Sequence, residues 1–310
     1  MTSIFENTKS KVVIHILHDD TLTQDNRHKF IRTAEKYSQG LELHDVTEYV
    51  RRLGDKLAKI SEQWTIGTLY RMFIPEVLTS LDKVIYLDCD IVVNLDIHEL
   101  WDVDMEGKSL VGVLDEAAYW VKPFSARYIN IRLTGARYQS YINAGVTVMN
   151  LRKIRECGNF FDMSYEWLLK HSHLPLYPDQ DALNSMFLGD IKFASAKFNV
   201  HDMEQNLSDC IMHMYSHKPW SGLLGKKHER IYWKMYLRSA WGENLTREEI
   251  IDKLGDTANS VTLTQFLRKL CHKRGIHPDK FLEMRLFRPV TILYRLIKDA
   301  YYRMKYKLSH

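Results

Sequence analysis

The chain has 310 residues, a formal net charge of +4, 45% hydrophobic residues and 26% charged residues. This is the composition of an ordinary globular protein, with room for one large α/β domain or one domain and a small appendage. Cys89, Cys157, Cys210 and Cys271 show no metal-type pairing and read as reduced thiols, Met1–Asn7 is no signal peptide, and no stretch is apolar enough to span a bilayer, so a cytoplasmic protein is expected.

Ser3–Asn7 reads as the tail of a helix, and Lys11–Leu17 as a strand that ends at His18-Asp19-Asp20, two acids that suit a turn and helix lead-in. Thr23 is placed to cap a helix whose buried face is Phe30, Ala34 and Tyr37, with Gly40 as its stop. A strand from Leu41 to Val46 then completes a βαβ unit. Helices are expected from about Thr47 to Ile60 and from about Gly67 to Leu78, the second carrying Arg71.

The run Lys83–Asn94 places Asp88 and Asp90 one residue apart after the β-rich segment Val84–Leu87, which reads as a strand covered on both faces. In a regular strand the two carboxylates share a face, where they repel unless a cation lies between them. A hard divalent cation finished by substrate phosphates resolves that repulsion, and a plain turn or helix cap is the alternative.

Further along, Ser109–Asp115 is a strand ending in an acid, which is either a ligand or a turn aspartate. Trp120, Phe124 and Tyr128 belong to an aromatic segment that either stacks on a ligand ring or packs as a lid, packing being favoured. Tyr141–Leu151 is a buried strand in which Asn143, Ala144 and Gly145 allow close backbone approach, or in which the glycine marks a bulge. A helix near 162–171 puts Met163, Trp167 and Leu168 in the core, Ile191–Ala194 is strand-like, and His228–Leu237 is helical. Beyond, 247–254, 263–273 and the stretch from Pro278 toward Leu308 read as helices. The last has an apolar face of Val290, Leu293, Ile297, Tyr301 and Leu308 with basic residues outside it, suited to an anionic membrane surface or to docking on the main domain.

Taken together, Thr68–Leu78, Tyr86-Leu87-Asp88-Cys89-Asp90, Asp96–Trp101, Tyr141–Leu151, Tyr177–Asn184 and Ile211–Trp220 resemble the family 8 glycosyltransferases. The resemblance implies an α/β fold of the nucleotide-sugar-binding GT-A type, with a mixed central sheet flanked by helices and a helical C-terminal appendage. The expected division is a catalytic domain over 1–241 and a basic helical region over 242–310 that contacts membrane. The implied metal ligands are Asp88, Asp90 and His213, and the implied donor-binding residues are Arg71, Asp88, Cys89, Asp90, Asp115, Asn143, Ala144, Gly145, Ser216 and Lys218. Asp179 and Gln180 are the implied catalytic pair, Asp181 being expected to serve structure.

The implied cofactor is Mn²⁺, with Mg²⁺ the alternative, and the implied donor is UDP-glucose or UDP-galactose. The acceptor class is a saccharide of a bacterial surface polysaccharide or glycolipid, and no nucleic-acid partner is expected. The family's first strand, with an acidic and Asn-Tyr motif for the uridine, has no counterpart here. That departure keeps a truncated, catalytically silent binding module as the alternative reading.

Overall fold

The computed structural model describes residues 1–54, 65–115, 126–133, 135–171, 177–201, 206–215, 218, 227–246 and 249. The expected helices over 263–273 and 278–308, Trp120, Phe124, Ser216 and most of 247–254 lie outside the described residues.

Helix α1 (Thr2–Asn7) leads to strand β1 (Val13–His18), helix α2 (Gln24–Lys36) and strand β2 (Gly40–Asp45). β1 and β2 pair in parallel, with α2 as the crossover between them. Thr23 caps α2 by accepting a hydrogen bond from the Asn26 backbone N–H at 3.2 Å. The helix stop differs from expectation: α2 ends at Lys36, and Ser38 takes the left-handed conformation at φ 51°. Gly40 instead opens β2, where a Cβ would meet Val13 Cγ2 at 2.8 Å.

Helix α3 spans Thr47–Leu53, and the residues expected to continue it to Ile60 lie outside the described part. The segment carrying Arg71 is a 3₁₀ helix (Ile66–Phe73) that passes into a short α4 (Ile74–Val77), with Pro75 in its first turn. Strand β3 (Lys83–Leu87), strand β4 (Ile91–Val93), helix α5 (His98–Trp101), strand β5 (Leu110–Leu114) and helix α6 (Ala126–Leu133) follow. Then come strand β6 (Ile142–Asn150) and helices α7 (Leu151–Glu156), α8 (Phe160–Lys170) and α9 (Pro178–Met186). Strands β7 (Ile191–Phe193) and β8 (Ile211–His213), helix α10 (Lys227–Arg238) and two short 3₁₀ helices (Tyr138–Ser140 and Ala196–Phe198) complete the described elements.

The central sheet is mixed, in the order β3-β6-β5-β7, with β6 antiparallel to both neighbours and β7 parallel to β5. β4 and β8 form a separate antiparallel pair. One apolar layer joins Leu110, Ile142 and Met149 of the sheet to Leu69, Phe73, Phe160, Leu168 and Leu183. On the opposite face Val111, Val146 and Val148 meet Ile4, Phe5, Ala34, Leu100 and Phe198.

One burial expectation holds and one is corrected. β3 is covered on both faces as expected, Val84 and Tyr86 packing on one apolar layer and Ile85 and Leu87 on the other, while its residues stay partly exposed because among the described residues only β6 pairs with it. Met163 is 38% exposed, since the buried stripe of α8 runs through Phe160, Phe161, Ser164 and Leu168 and leaves Met163 to one side. Trp167 is partly buried and Leu168 is core, as expected. Tyr128 packs on Tyr138 with ring centroids 5.5 Å apart, in keeping with packing rather than a free stacking face.

Candidate metal and donor site

The site is built on a bulge. Gly112 of β5 pairs with Thr147, but the next residue, Val113, pairs with Asn143, so Ala144, Gly145 and Val146 of β6 have no partner on β5. An odd number of extra residues reverses the alternation of a strand. Accordingly Ile142 and Ala144 face one apolar layer, whereas Val146 and Val148 face the other.

Backbone groups freed by the bulge find partners among the very side chains singled out in the sequence. The Ala144 N–H donates to Gln180 Oε1 at 3.0 Å, and Arg71 Nη1 donates to the Ala144 carbonyl at 2.5 Å. The Gly145 N–H donates to Asn143 Oδ1 at 3.0 Å, while its carbonyl continues the β3 side of the ladder by accepting from the Asp88 backbone N–H at 2.8 Å.

Arg71 ties these pieces together. It is 4% exposed, and besides Ala144 it meets Asp88 Oδ1 at 2.7 Å and Asp179 Oδ2 at 3.0 Å. Its guanidinium carbon lies 4.3 Å from the centroid of the Tyr86 ring, and the Tyr86 hydroxyl donates to Asp88 Oδ1 at 2.7 Å. Burial alone would weaken the Arg71 charge, but Asp179, Tyr86 and Asp88 hold it protonated well beyond its ordinary range. Burial pushes the Asp179 carboxyl up, with Arg71 pulling against it.

With Asp88 Oδ1 engaged, Oδ2 faces His213. His213 Nε2 lies 3.6 Å from Asp88 Oδ2 and 3.3 Å from Asp90 Oδ1, and it is buried without a hydrogen-bond partner. Its other nitrogen, Nδ1, is 3.0 Å from Asn199 Oδ1. An amide oxygen only accepts, so Nδ1 carries the proton and Nε2 presents a lone pair to the two carboxylates. Such a fixed tautomer is the usual state of a metal-binding imidazole. Bonds of about 2.1 Å put neighbouring ligand atoms roughly 3 Å apart, so this triad fits a divalent cation. Burial would raise the Asp90 carboxyl, but His213, whenever its ring is protonated, and the Lys218 ammonium hold it well below the usual carboxylate range.

Gly145 makes room for the triad. A Cβ there would stand 2.2 Å from His213 Cε1 and 2.8 Å from Asp88 Oδ2. Gly145→Ala is therefore expected to cost about 1–3 kcal/mol of stability and to force His213 away from the acids, read by thermal melting and Mn²⁺ titration.

Gln180 is locked at both ends, since its Nε2 donates to Asp115 Oδ2 at 2.9 Å while its oxygen takes the Ala144 N–H. Asp181 serves structure, as expected: it accepts from the Tyr141 hydroxyl and, at 3.2 Å, from the Tyr177 N–H at the start of α9. Asn184 fastens α9 to β6 through both backbone groups of Ile142, at 2.7 and 2.9 Å. Lys218 meets Asp90 Oδ2 directly, and Cys89 is exposed at the turn between the two acids.

The structure thus brings together Arg71, Asp88, Asp90, Asn143, Ala144, Gly145, Asp179, Gln180, Asp115, His213 and Lys218. Sequence reasoning missed Tyr86 and Asn199. Tyr86 sits two residues before Asp88, a spacing that signals a shared side. Asn199 gives no such signal, because its role depends on contacts to Asn143 and His213 across the fold.

A putative glycosyltransferase of Haemophilus influenzae is 28% identical over 66% of this chain and 59% of its own length. A lipopolysaccharide 1,2-glucosyltransferase of Escherichia coli is 32% identical over 64% of this chain and 57% of its own length. The match thus spans less than two thirds of either relative. Among solved structures, a galactosyltransferase, LgtC, in complex with donor and acceptor sugar analogs superposes with a TM-score of 0.65 at 22% identity, covering 81% of this chain and 93% of that one. The fold is therefore of the GT-A type. The sequence profile described as glycosyl transferase family 8 matches residues 1–219, well over half the chain, and the chain belongs to that family.

Proposed function

We propose that this chain is a metal-dependent, retaining hexosyltransferase that moves glucose or galactose from a UDP-sugar to a saccharide acceptor of a bacterial surface polysaccharide or glycolipid. The observation that carries the reading is the buried, unpartnered His213 Nε2 facing Asp88 and Asp90. Family membership and relatives named lipopolysaccharide 1,2-glucosyltransferase and 1,3-galactosyltransferase support the hexose and acceptor class.

Asp88, Asp90 and His213 would hold the cation, and two carboxylates with one imidazole suit Mn²⁺. When bound, the cation neutralises the diphosphate of the donor and so favours its departure. Arg71 and Tyr86 keep Asp88 oriented by occupying one of its oxygens. Lys218 exchanges its contact with Asp90 for a phosphate oxygen of the donor. Asn143 and the remaining lone pairs of the Ala144 and Gly145 carbonyls receive the sugar hydroxyls, with Cys89 and Ser216 serving the diphosphate.

Retention through a covalent intermediate calls for a carboxylate nucleophile on the face opposite the leaving group. Gln180 is a poor nucleophile. The acceptor hydroxyl instead enters on the side of the departing diphosphate, an oxygen of which takes its proton, so the new glycosidic bond keeps the configuration of the old. Gln180 Oε1 retains a lone pair beyond the one bonded to the Ala144 N–H, and it stabilises the oxocarbenium-like charge. Asp179 and Asp115 orient the sugar. Residues 1–241 form the catalytic part, and 242–310 form the basic region that contacts the inner membrane face. Among the described residues no helix is long and apolar enough to cross a membrane.

Calorimetric titration with UDP, with and without Mn²⁺, tests the reading. Mn²⁺-dependent binding is expected, followed by turnover of UDP-glucose or UDP-galactose with a saccharide acceptor. A folded sample that binds UDP under neither condition would sink it in favour of a silent family member.

A further inference from the structure

A second convergence of ligand-type atoms lies on the β1–β2 pair, among residues with no part in the site around Gly145. The parallel register sets His15 beside Glu42, and His44 follows two residues along β2, on the same face as Glu42. His15 Nδ1 is 3.0 Å from His44 Nε2 and 3.3 Å from Glu42 Oε2, and His44 Nε2 is 3.6 Å from that oxygen. The two imidazole rings are stacked, with centroids 5.3 Å apart and planes inclined by 26°.

These three edges have a chemical reading. A tetrahedral ion bonded at about 2.0–2.1 Å to nitrogen and oxygen holds its ligand atoms roughly 3.3–3.4 Å apart. The observed edges straddle that value. A hydrogen bond between the imidazoles accounts for one edge only, whereas a shared cation accounts for all three.

We propose that His15, Glu42 and His44 form a binding site for a borderline divalent transition-metal ion, Zn²⁺ foremost, with water in the fourth position. Two imidazoles and one carboxylate form a donor set that zinc uses where one position stays open. The histidine side chains are 17% and 20% exposed while that of Glu42 is 58% exposed, so the ring nitrogens are sheltered and the carboxylate side gives entry from solvent. Nitrogen-rich here and oxygen-rich at Asp88, Asp90 and His213, the two clusters select different cations. An ion at the first would bridge β1 and β2 beyond their backbone ladder. Because the unfolded chain does not hold the triangle together, binding adds to the stability of the fold.

Titration of the full chain with Co²⁺ in excess Mg²⁺ tests the site, since Co²⁺ substitutes for Zn²⁺ and absorbs strongly in the visible only when four-coordinate. The expected result is one equivalent of four-coordinate Co²⁺, displaced by Zn²⁺, with a rise in melting temperature on Zn²⁺ addition. Glu42→Gln and His44→Gln are each expected to weaken Zn²⁺ binding by at least about tenfold with an unchanged circular dichroism spectrum. Glu42→Gln alters an exposed side chain, so it decides the matter even if His44→Gln folds poorly. A wild-type chain giving only the weak six-coordinate spectrum overturns the proposal, and so does Zn²⁺ affinity that survives Glu42→Gln unchanged.

Discussion

Replacing Arg71 with methionine is expected to destabilise the chain by roughly 3–5 kcal/mol near neutral pH, read as a lower urea midpoint at unchanged slope. Methionine refills much of the volume, so the loss is mostly electrostatic. It leaves the Asp179 carboxylate buried without its cation and the Ala144 carbonyl without its donor.

The deficit has a predicted pH dependence. Burial raises the Asp179 carboxyl in the folded chain. A carboxyl whose folded pKa lies above its unfolded value contributes stability that is fully present below the unfolded pKa, about 3.9, and is lost as pH rises through the folded value. Removing Arg71 moves the folded value further up, so the variant falls furthest below the parent at neutral pH and recovers as pH approaches about 4. Urea midpoints at the two pH values check this. Equal deficits at both would remove Asp179 from the account. Arg71→Lys is expected to fall between, since an ammonium lacks the fork that serves Asp88, Asp179 and Ala144 together.

The second large effect concerns His213. His213→Ala is expected to abolish Mn²⁺-dependent UDP binding while the far-ultraviolet spectrum stays that of the parent, because it deletes one of three ligand atoms. Asn199→Leu is the sharper probe. It leaves all three ligands in place but removes the acceptor that fixes the imidazole, and a loss of about 10–100-fold in Mn²⁺ affinity is expected. Asn199→Asp keeps an acceptor for Nδ1 and should retain more affinity than Asn199→Leu. Calorimetry on the three variants tests the order, and undiminished binding in His213→Ala would falsify the ligand assignment.

Much of this was legible in the sequence where the determinants are local. The β1-α2-β2 unit follows from the Thr23 cap and from apolar spacing. The acids at 88 and 90 and the run 177–184 carry their chemistry within a few residues, and they form a site because strand ends and helix starts meet there. Long-range pairing decided what local pattern could not. Gly145 marked a bulge as one reading of the sequence and the register bears it out, but a bulge is a property of two strands, so its three-residue size and the reversal of the β6 faces needed the partner β5. The half-burial of β3, the exposure of Met163 and the tautomer set by Asn199 likewise depend on neighbours distant in the chain.

The separation of the proposed ligands also sets a clock for biosynthesis. From Asp90 to His213 is 123 residues (213 − 90), and β4 must wait for β8 over the same interval. At ribosomal rates of about 5–20 residues per second, the acids emerge roughly 6–25 s before their imidazole. During that time the nascent chain offers two neighbouring carboxylates and no third donor, which is a weak trap for any cation. On the proposed metal assignment, capture would come after β8 has joined β4, and an occupied site would mark this part of the chain as made and folded.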